Sequence, residues 1–586
     1  MTCRRYGAPT MPGERPLLPE LPPSPQAIAD ATWDDLAPYY EQLVRAPLSV
    51  EAVAPWLEKW SRLSAVVDEA GTLAMIAYTC DTADPAKESA NLRWSSEIFP
   101  KVGEQNVRLA ERLVALGWTR DDMAVVLREF RTDIEIFREE NVPLFAELEE
   151  HTAAYQKITG GLGAEWEGKR VTIPQLQPHL KERDRAVRER AFRLGAEAYM
   201  ARRDALAALF DTMFALRQRI AANAGFASYM DYAFRAKHRF DYTPDDCARF
   251  HDAVEATVAP AVERMMAHRR HALGVDTLRP WDTQVQLESE RPVRPFTDVA
   301  GFVTPAQRIF DALDPELGGQ FRTMAQEGLL DLESRPGKAP GGYCTKLPWR
   351  GKPFIFMNAV GVPDDVNTLV HEAGHSFHDF AAHRQPLIWQ RGTGHEAAEL
   401  ASMSMELLAM PHLARPTGYY TPDEARAVEI EQLEDVLNSL AHIASVDAFQ
   451  RWIYTSGRGD DAAARDAAWL QLRARFERGV DWSGLEAERV ARWYRQLHIF
   501  ELPFYYIEYG IAQLGALQLW RDAQRDPAGT MQRYKRALAL GGTRGLPDIY
   551  AAAGARLVFD EGGMRQLVAL VEERLHTLRD KGADRS

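Results

Sequence analysis

Two histidines and a glutamate stand close together in the run His371-Glu372-Ala373-Gly374-His375. Apolar residues recur through the surrounding segment 365–380 at the spacing typical of an amphipathic helix. Residues four apart lie one above the other on a helix, so both imidazoles project from one face and can reach a single zinc ion. Glu372 would lie beside that ion, where its carboxylate can take a proton from a water molecule. The run therefore predicts a metal-dependent hydrolase site, with His371 and His375 as metal ligands and Glu372 as general base.

A catalytic zinc site needs a third protein ligand and one open position. The best candidate downstream is Glu399, in a helical stretch over 396–406 that stops before Pro411. Ser402 and Glu406 share a face of this helix with Glu399, and the Glu406 carboxylate could accept the second ring N–H of a ligand histidine. A solvated charge or a helix-capping contact is the alternative interpretation of Glu406. Two histidines and one glutamate suit zinc, although cobalt or manganese could occupy such a site.

The elements that must position these residues are predicted to be mostly helices. Apolar residues three and four apart recur between charges along most of the chain, and strand-like alternation is scarce. The stretch 184–223 has no proline and few β-branched residues, which predicts one very long helix or two joined ones. Exceptions are a small turn or hairpin at 166–173 and a glycine-rich loop leading into a strand at 336–358. The predicted fold class is mainly α.

Composition disfavours several classes of partner. The 586 residues include 70 Lys and Arg against 84 Asp and Glu, a formal net charge of −14 that disfavours nucleic acid or an anionic membrane. The four cysteines lie far apart without a CxxC pair, which predicts reduced thiols. The proline-rich start, 1–25, lacks an apolar signal segment, and no apolar run approaches the length of a membrane span. We expect a soluble, cytoplasmic protein whose oligomeric state the sequence leaves open.

The run from His371 to His378, followed by Glu399-Leu400-Ala401-Ser402, resembles peptidase family M3, the group of thimet oligopeptidase and oligoendopeptidase F. The resemblance implies a bilobed, helical, zincin-like fold with a deep substrate channel and a small β-sheet near the active site. It also implies an N-terminal helical lobe over 1–200 and a catalytic domain over 201–586. The segment 336–358 resembles the family's glycine-rich loop and edge strand, along which an extended peptide would bind through main-chain hydrogen bonds.

A further segment, 498–509, resembles the cluster of histidine and tyrosine with which this family contacts the substrate carbonyl. The resemblance implies that His498, Tyr505 or Tyr509 donates a hydrogen bond to the negative charge that develops on the carbonyl oxygen. Which of the three donates stays open at this point. The alternative is that Phe504, Tyr505 and Tyr509 form an aromatic core stripe on a helix begun by Pro503.

Together these residues predict an oligopeptidase with one zinc ion per chain that hydrolyses internal bonds of short, unstructured peptides. One alternative is a carboxypeptidase that removes one or two C-terminal residues, which requires a cationic group for the terminal carboxylate that the sequence does not locate. The other is an inactive helical protein that binds peptides or stores metal. Glu372 argues against the inactive protein, because a site that only binds needs no base.

Overall fold

The computed structural model describes residues 21–287 and 293–583, which form two compact units. The first unit ends at Trp118 and also includes the short segments 337–339 and 346–351. The second unit begins at Thr119 and contains the rest of the chain. Residue 200 lies inside the second unit, and the division of the chain at that residue into an N-terminal lobe and a catalytic domain stays a prediction.

The first unit is built on four helices. They are α1 (Trp33–Arg45), α2 (Val53–Cys80), α3 (Pro85–Leu92) and α4 (Phe99–Ala115). The carboxylate of Glu69 is buried in this unit, where it accepts hydrogen bonds from the backbone N–H groups of Trp349 and Arg350 at 2.8 and 2.9 Å. The Arg350 guanidinium donates to the same carboxylate, so the buried charge is compensated.

The second unit contains the remaining helices and the five strands of the described residues, apart from Lys346 and Leu347, which belong to the first unit. In chain order these are α5 (Ala124–Ile136), α6 (Val142–Gly160), β1 (Gly163–Trp166), β2 (Lys169–Thr172), α7 (Ile173–Leu176), α8 (Arg185–Met200), α9 (Arg203–Asn223), α10 (Tyr229–Ala236), α11 (Pro244–Ala272), α12 (Val299–Leu313), α13 (Pro315–Gln326), β3 (Leu330–Glu333), β4 (Tyr343–Leu347), β5 (Lys352–Ala359), α14 (Pro363–Ala382), α15 (His395–Ala409), α16 (Pro422–Thr455), α17 (Ala462–Phe476), α18 (Glu486–Tyr494), α19 (Leu497–Phe500), α20 (Tyr506–Ala523), α21 (Pro527–Leu538), α22 (Leu546–Ala553) and α23 (Glu561–Ala583).

The strands form two small sheets. β1 and β2 make an antiparallel hairpin in which Gly163 pairs with Thr172, as predicted for this stretch. The other sheet has the order β3-β5-β4, and its central strand runs parallel to β3 with Leu330 opposite Ile355. Residues 353–357 of β5 are all buried, as expected for the central strand of a sheet covered by other elements. The predicted fold, mainly α with a small sheet, is confirmed; the channel stays a prediction.

The stretch 184–223 forms two joined helices, α8 and α9, which separate at Ala201-Arg202. Gly225, in the left-handed region at φ 86°, follows the end of α9. Across the described ranges, no helix has the length and apolar character needed to cross a membrane. Cys80, Cys247 and Cys344 form no disulfide, and Cys3 lies outside the described residues.

Candidate metal centre and catalytic site

Helix α14 carries the HEAGH run and begins at a firmly capped N-terminus. The Asp365 side chain accepts hydrogen bonds from the backbone N–H groups of Val360, Gly361 and Val362 at 2.9, 2.8 and 2.9 Å. These bonds satisfy donors before the helix that would otherwise lack partners, and they fix its direction. One face of α14 is buried, formed by Val366, Leu369, Val370, Ala373 and Phe377. The predicted amphipathic helix is therefore present, with the histidines beside its buried face.

Gly374 lets α14 and α15 approach each other closely. A Cβ atom at this position would lie 2.5 Å from Ser402 Cα and 2.8 Å from the Ala401 carbonyl oxygen. Both contacts are with backbone, which cannot turn aside as a flexible side chain can. The Ala401 carbonyl also accepts a hydrogen bond from the buried Tyr534 hydroxyl at 2.9 Å. Glycine at 374 therefore sets the spacing between the two helices that carry the predicted ligands.

The side chains of His371, His375 and Glu399 converge, with one ligand atom from each lying within 4.8 Å of the others. Glu399 Oε2 is 3.4 Å from His371 Nε2 and 3.7 Å from His375 Nε2. Ligand atoms at about 2.0–2.1 Å around a tetrahedral zinc ion are separated by about 3.3 Å. The donor set and its spacing therefore fit a zinc ion, and these three residues are the ones that would hold it.

A network of hydrogen bonds orients the His371 ring. Its Nδ1 is 2.7 Å from Glu406 Oε1, so Nδ1–H donates to the carboxylate and Nε2 is left to face the ligand cluster. The other oxygen of Glu406 accepts from the side-chain amides of Asn367 and Gln432 at 3.1 and 3.2 Å. This is the contact that the sequence predicted for Glu406, and the interpretation of Glu406 as a solvated charge is wrong.

Two hydroxyl groups hold the Glu399 carboxylate. Ser402 Oγ donates to Oε2 at 3.0 Å and Tyr505 Oη donates to Oε1 at 3.2 Å. Burial raises the pKa of Glu399, but the His371 hydrogen bond and the nearby His375 outweigh it and lower the pKa to about 2. Glu399 is therefore an anion at neutral pH, as a metal ligand must be.

Glu372 is buried beside this cluster, 8% exposed. Burial, with Glu399 adding to it, raises the pKa of Glu372 to about 7, while the His371 charge and the backbone N–H of Cys344 oppose the rise. Cys344 lies on β4, so the small sheet contacts the predicted base. A carboxylate with a pKa near neutrality can both accept and return a proton, which a general base in peptide hydrolysis has to do.

The segment that carries His498, Tyr505 and Tyr509 differs in part from the sequence-based alternative. α20 begins at Tyr506 rather than at Pro503, because Phe504 lies in the left-handed region at φ 63° and interrupts the helix. Phe504 is buried, its N–H donates to Gln450 Oε1 at 2.6 Å, and its carbonyl accepts from Arg239. The structure therefore contradicts a continuous helical stripe of Phe504, Tyr505 and Tyr509.

The three predicted donors lie together near Glu399. The Tyr505 ring is 5.7 Å from the His498 ring and 5.2 Å from the Tyr509 ring, measured between centroids. His395, at the start of α15, lies 4.9 Å from Tyr505. Burial raises the pKa of Tyr505 and of Tyr509, with the Glu399 charge adding to the rise, so both phenols keep their protons at neutral pH.

A chain of hydrogen bonds fixes the protonation of His498. Arg473 Nη1 lies 2.8 Å from His442 Nδ1, and because arginine only donates, Nδ1 must accept and Nε2 must carry the proton. His442 Nε2–H then donates to Gln496 Oε1 at 3.0 Å. The Gln496 amide nitrogen donates in turn to His498 Nδ1 at 2.9 Å. In neutral His498 the proton therefore sits on Nε2, which has no hydrogen-bond partner among the described residues.

The charges around this chain keep both histidines neutral. Burial and the Arg473 charge lower the pKa of His442 to about 3. Burial and the Lys237 charge lower the pKa of His498 to about 4. His498 is thus a neutral imidazole at pH 7 with one N–H available to a ligand.

Sequence reasoning missed Lys237, Gln496 and His442. Lys237 Nζ lies 5.2 Å from the centroid of the Tyr505 ring and 3.8 Å from Glu508 Oε1. No local motif marks Lys237 or His442, since they approach the site from distant parts of the chain. Gln496 lies two residues before His498, and that nearness was the one available signal.

Comparison with known proteins places this geometry in a family. A model of Peptidase family M3 matches residues 179–568, and a model of the Peptidase M3 N-terminal domain matches residues 27–121. The chain belongs to peptidase family M3. The family that the sequence resemblance predicted is confirmed.

Relatives of this M3 chain share modest identity over part of their length. An oligoendopeptidase F homolog of Borreliella burgdorferi is 21% identical over 42% of this chain and 42% of its own length. An oligoendopeptidase F homolog of Mycoplasma pneumoniae is 27% identical over 41% of this chain and 39% of its own length. Oligopeptidase PepF of Bacillus subtilis is 22% identical over 55% of this chain and 47% of its own length. The matches thus span less than half the length of each relative.

Solved structures of similar fold cover nearly the whole chain. PZ peptidase A with inhibitor 2 superposes with a TM-score of 0.86 at 24% identity, over 93% of this chain and 97% of that one. A putative oligoendopeptidase F superposes at 0.83 with 26% identity, over 96% and 98%. A putative oligoendopeptidase F from Bacillus anthracis superposes at 0.80 with 22% identity, over 93% and 96%.

Proposed function

We propose that this M3 protein is a zinc-dependent oligoendopeptidase that hydrolyses internal bonds of short, unstructured peptides. The observation that carries the proposal is the convergence of His371, His375 and Glu399 with the buried carboxylate of Glu372 beside them. The names of its relatives, oligoendopeptidase F homolog and oligopeptidase, support the same class of substrate.

The proposed centre consists of three ligands and the contacts that orient them. His371, His375 and Glu399 would hold the ion, and Glu406 would keep His371 Nε2 turned toward it. When bound, zinc acts as a Lewis acid that polarises a peptide carbonyl and makes a water molecule more acidic. Three protein ligands, rather than the four of a structural zinc site, would leave room at the ion for a water molecule or the substrate carbonyl.

Glu372 moves the proton in this scheme. Its carboxylate accepts a proton from the attacking water and then returns that proton to the amine nitrogen as the peptide bond breaks. The pKa of about 7 that burial gives Glu372 suits both steps, because neither proton transfer is far uphill.

His498 is the proposed donor to the carbonyl oxygen of the cleaved bond. Gln496 occupies His498 Nδ1, so the Nε2–H is the group that can stabilise negative charge on that oxygen. The Tyr505 hydroxyl is engaged with Glu399, which favours a positioning role for Tyr505. Tyr509 lies beside Tyr505 and is proposed to line the same side of the substrate.

The test of this function is digestion of a mixed peptide library by the zinc-loaded protein, with the products identified by mass spectrometry. We expect internal cleavage of short peptides, abolished by a chelator and restored by zinc. Glu372→Gln should keep zinc but lose turnover about a hundredfold to ten-thousandfold, the usual contribution of a general base. Full turnover by Glu372→Gln, or cleavage unaffected by the chelator, would contradict the proposal.

Peptides blocked at both ends distinguish the proposed endopeptidase from the carboxypeptidase alternative. An endopeptidase cleaves an acetylated and amidated peptide, whereas a carboxypeptidase requires the free terminal carboxylate. Release of only one or two C-terminal residues from unblocked peptides would replace the endopeptidase assignment while leaving the metal chemistry unchanged.

A further inference from the structure

A cavity of about 800 Å³ lies within the second unit next to the candidate metal centre. Its wall includes Glu406, Asn367 and Gln432, the residues that orient His371. Another part of the wall comes from α16 and α17 and from the end of α18. The mechanism proposed above assigns no role to that second part.

Three arginines pair with one carboxylate on this part of the wall, whose α16 side carries the carboxylates of Glu431, Glu434 and Asp435. The guanidinium groups of Arg473, Arg489 and Arg492 all donate to the single carboxylate of Glu477, at 2.7, 3.1 and 2.6 Å. Arg473, Arg492 and a fourth arginine, Arg495, line the cavity. The Glu477 carboxylate is therefore shared by three guanidinium groups, and no carboxylate is among the groups that act on Arg495.

Arg495 is the member of this group without an anionic partner. Its guanidinium makes no hydrogen bond and no ion pair with any residue of the described ranges. Part of the Arg495 side chain is exposed to solvent, but the protein atoms around its guanidinium desolvate it and lower its pKa. The ionisable groups close enough to affect that pKa are Tyr199, Arg492 and Tyr155. None of these is an anion at neutral pH. A partly desolvated cation without a counter-ion provides a favourable site for an incoming anion.

Arg495 lines the same cavity as Glu406, which orients His371, and as His442, which is joined through Gln496 to His498. An extended peptide advances about 3.3–3.6 Å per residue. A carboxylate a few residues from the cleaved bond can therefore meet the Arg495 guanidinium while the cleaved carbonyl lies beside His498.

We propose that Arg495, with the edge of Arg492 not used by Glu477, binds a carboxylate of the peptide substrate inside this cavity. The inference rests on the proposed peptidase function and names a preference within it. A guanidinium recognises a carboxylate through two parallel N–H bonds, which a neutral amide cannot reproduce. The carboxylate has two sources with the same chemistry, the C-terminus of the peptide and an Asp or Glu side chain.

The experiment compares four versions of one eight-residue fluorogenic peptide with the zinc-loaded protein. The C-terminus is either free or amidated, and one position near the cleaved bond is either Glu or Gln; the set of four is repeated for each flanking position. We expect kcat/KM to be about ten- to a hundredfold higher for at least one carboxylate-bearing version than for the fully neutral peptide. The version that shows the gain identifies the source of the carboxylate.

Variants assign the preference to this residue. Arg495→Gln should remove the gain by raising KM for the carboxylate-bearing peptide, without changing kcat/KM for the neutral peptide. Arg495→Lys should keep part of the gain, because it retains the charge but not the paired N–H geometry. Arg478→Gln is the matched control, since Arg478 lines the same cavity but pairs with Glu255 at 3.9 Å, and it should leave the gain unchanged.

The proposal is overturned if the wild-type protein treats all four peptides alike, a comparison that needs no variant, or if Arg495→Gln slows all four equally. If the wild-type protein cleaves no peptide at all, the peptidase function fails. Titration calorimetry of the same peptides with the zinc-loaded Glu372→Gln protein then tests the carboxylate site alone. Equal affinity for the charged and neutral peptides there would also overturn it.

Discussion

Replacement of Gly374 by alanine tests whether the spacing of α14 and α15 controls the metal centre. The added Cβ would sit 2.5 Å from Ser402 Cα and 2.8 Å from the Ala401 carbonyl oxygen. Carbon atoms in contact prefer a separation of about 3.5–4.0 Å. The helices must therefore move apart by roughly 1–1.5 Å, because neither contact can be relieved by rotating a side chain.

That displacement is large compared with the tolerance of a metal site. Glu399 lies on α15 and the two histidines on α14, so their Oε2–Nε2 distances of 3.4 and 3.7 Å would lengthen together. Functional groups must be held within about 0.5 Å of their working geometry. We expect zinc affinity to fall at least about tenfold. Overpacking costs about 1–3 kcal/mol, which the better helix propensity of alanine offsets by about 1 kcal/mol.

The assay is competition for zinc between the protein and a chromogenic chelator, together with urea unfolding of the metal-free protein. Gly319→Ala is the control, since Gly319 lies in α13 with no atom within 4 Å of an added Cβ. It should bind zinc normally and unfold at slightly higher urea. Unchanged zinc affinity in a folded Gly374→Ala protein would refute the reasoning.

Three further predictions concern residues around the ligands. Glu406→Ala should weaken zinc binding about 10- to 100-fold, because His371 loses its orienting acceptor, whereas Glu406→Gln retains an acceptor and should lose less; equal losses in the chelator assay would contradict this. Gln496→Leu should lower kcat about five- to tenfold with little change in KM or zinc content, since His498 Nδ1 loses its donor; a change in KM alone would count against the His498 assignment. His442 has a folded pKa of about 3 against about 6.5 unfolded, so the unfolded chain binds more protons between these values. Its stabilising contribution is complete above pH 6.5 and is lost as pH falls, by about 2 kcal/mol at pH 5. Between pH 7 and pH 5, the free energy of unfolding measured with urea should fall by about 2 kcal/mol less in His442→Gln than in wild type. Equal falls in the two proteins would exclude the effect.

The parts of the site that sequence could predict are those set by local geometry. The spacing of His371 and His375 follows from the helical period, and Glu399 lies on the next helix, only 24 positions after His375. The contact of Glu406 with His371 follows from the same two helices. Residues of neighbouring elements are close in space often enough for such a search to succeed.

The parts that sequence could not predict depend on packing between distant segments. Lys237 and Arg239 meet the 504–508 segment across more than 260 positions, and no pattern in either segment indicates the contact. The alternative helix that begins at Pro503 rests on the preference of proline for a first helical turn, but Phe504 is left-handed there. The division between α8 and α9 has neither proline nor glycine to mark it.

The conformation of Phe504 links the positions of His498 and Tyr509, the residues proposed to face the substrate, to the interior of the molecule. A bulky residue in the left-handed region costs on the order of 1–3 kcal/mol, and the bonds to Gln450 on α16 and to Arg239 hold it there. The relative position of α19, which bears His498, and α20, which bears Tyr509, is therefore fixed by residues outside the segment that connects them. Gln450→Leu would accordingly impair turnover more than global stability, and adding one residue between Leu502 and Tyr505 would displace His498 and Tyr509 relative to each other.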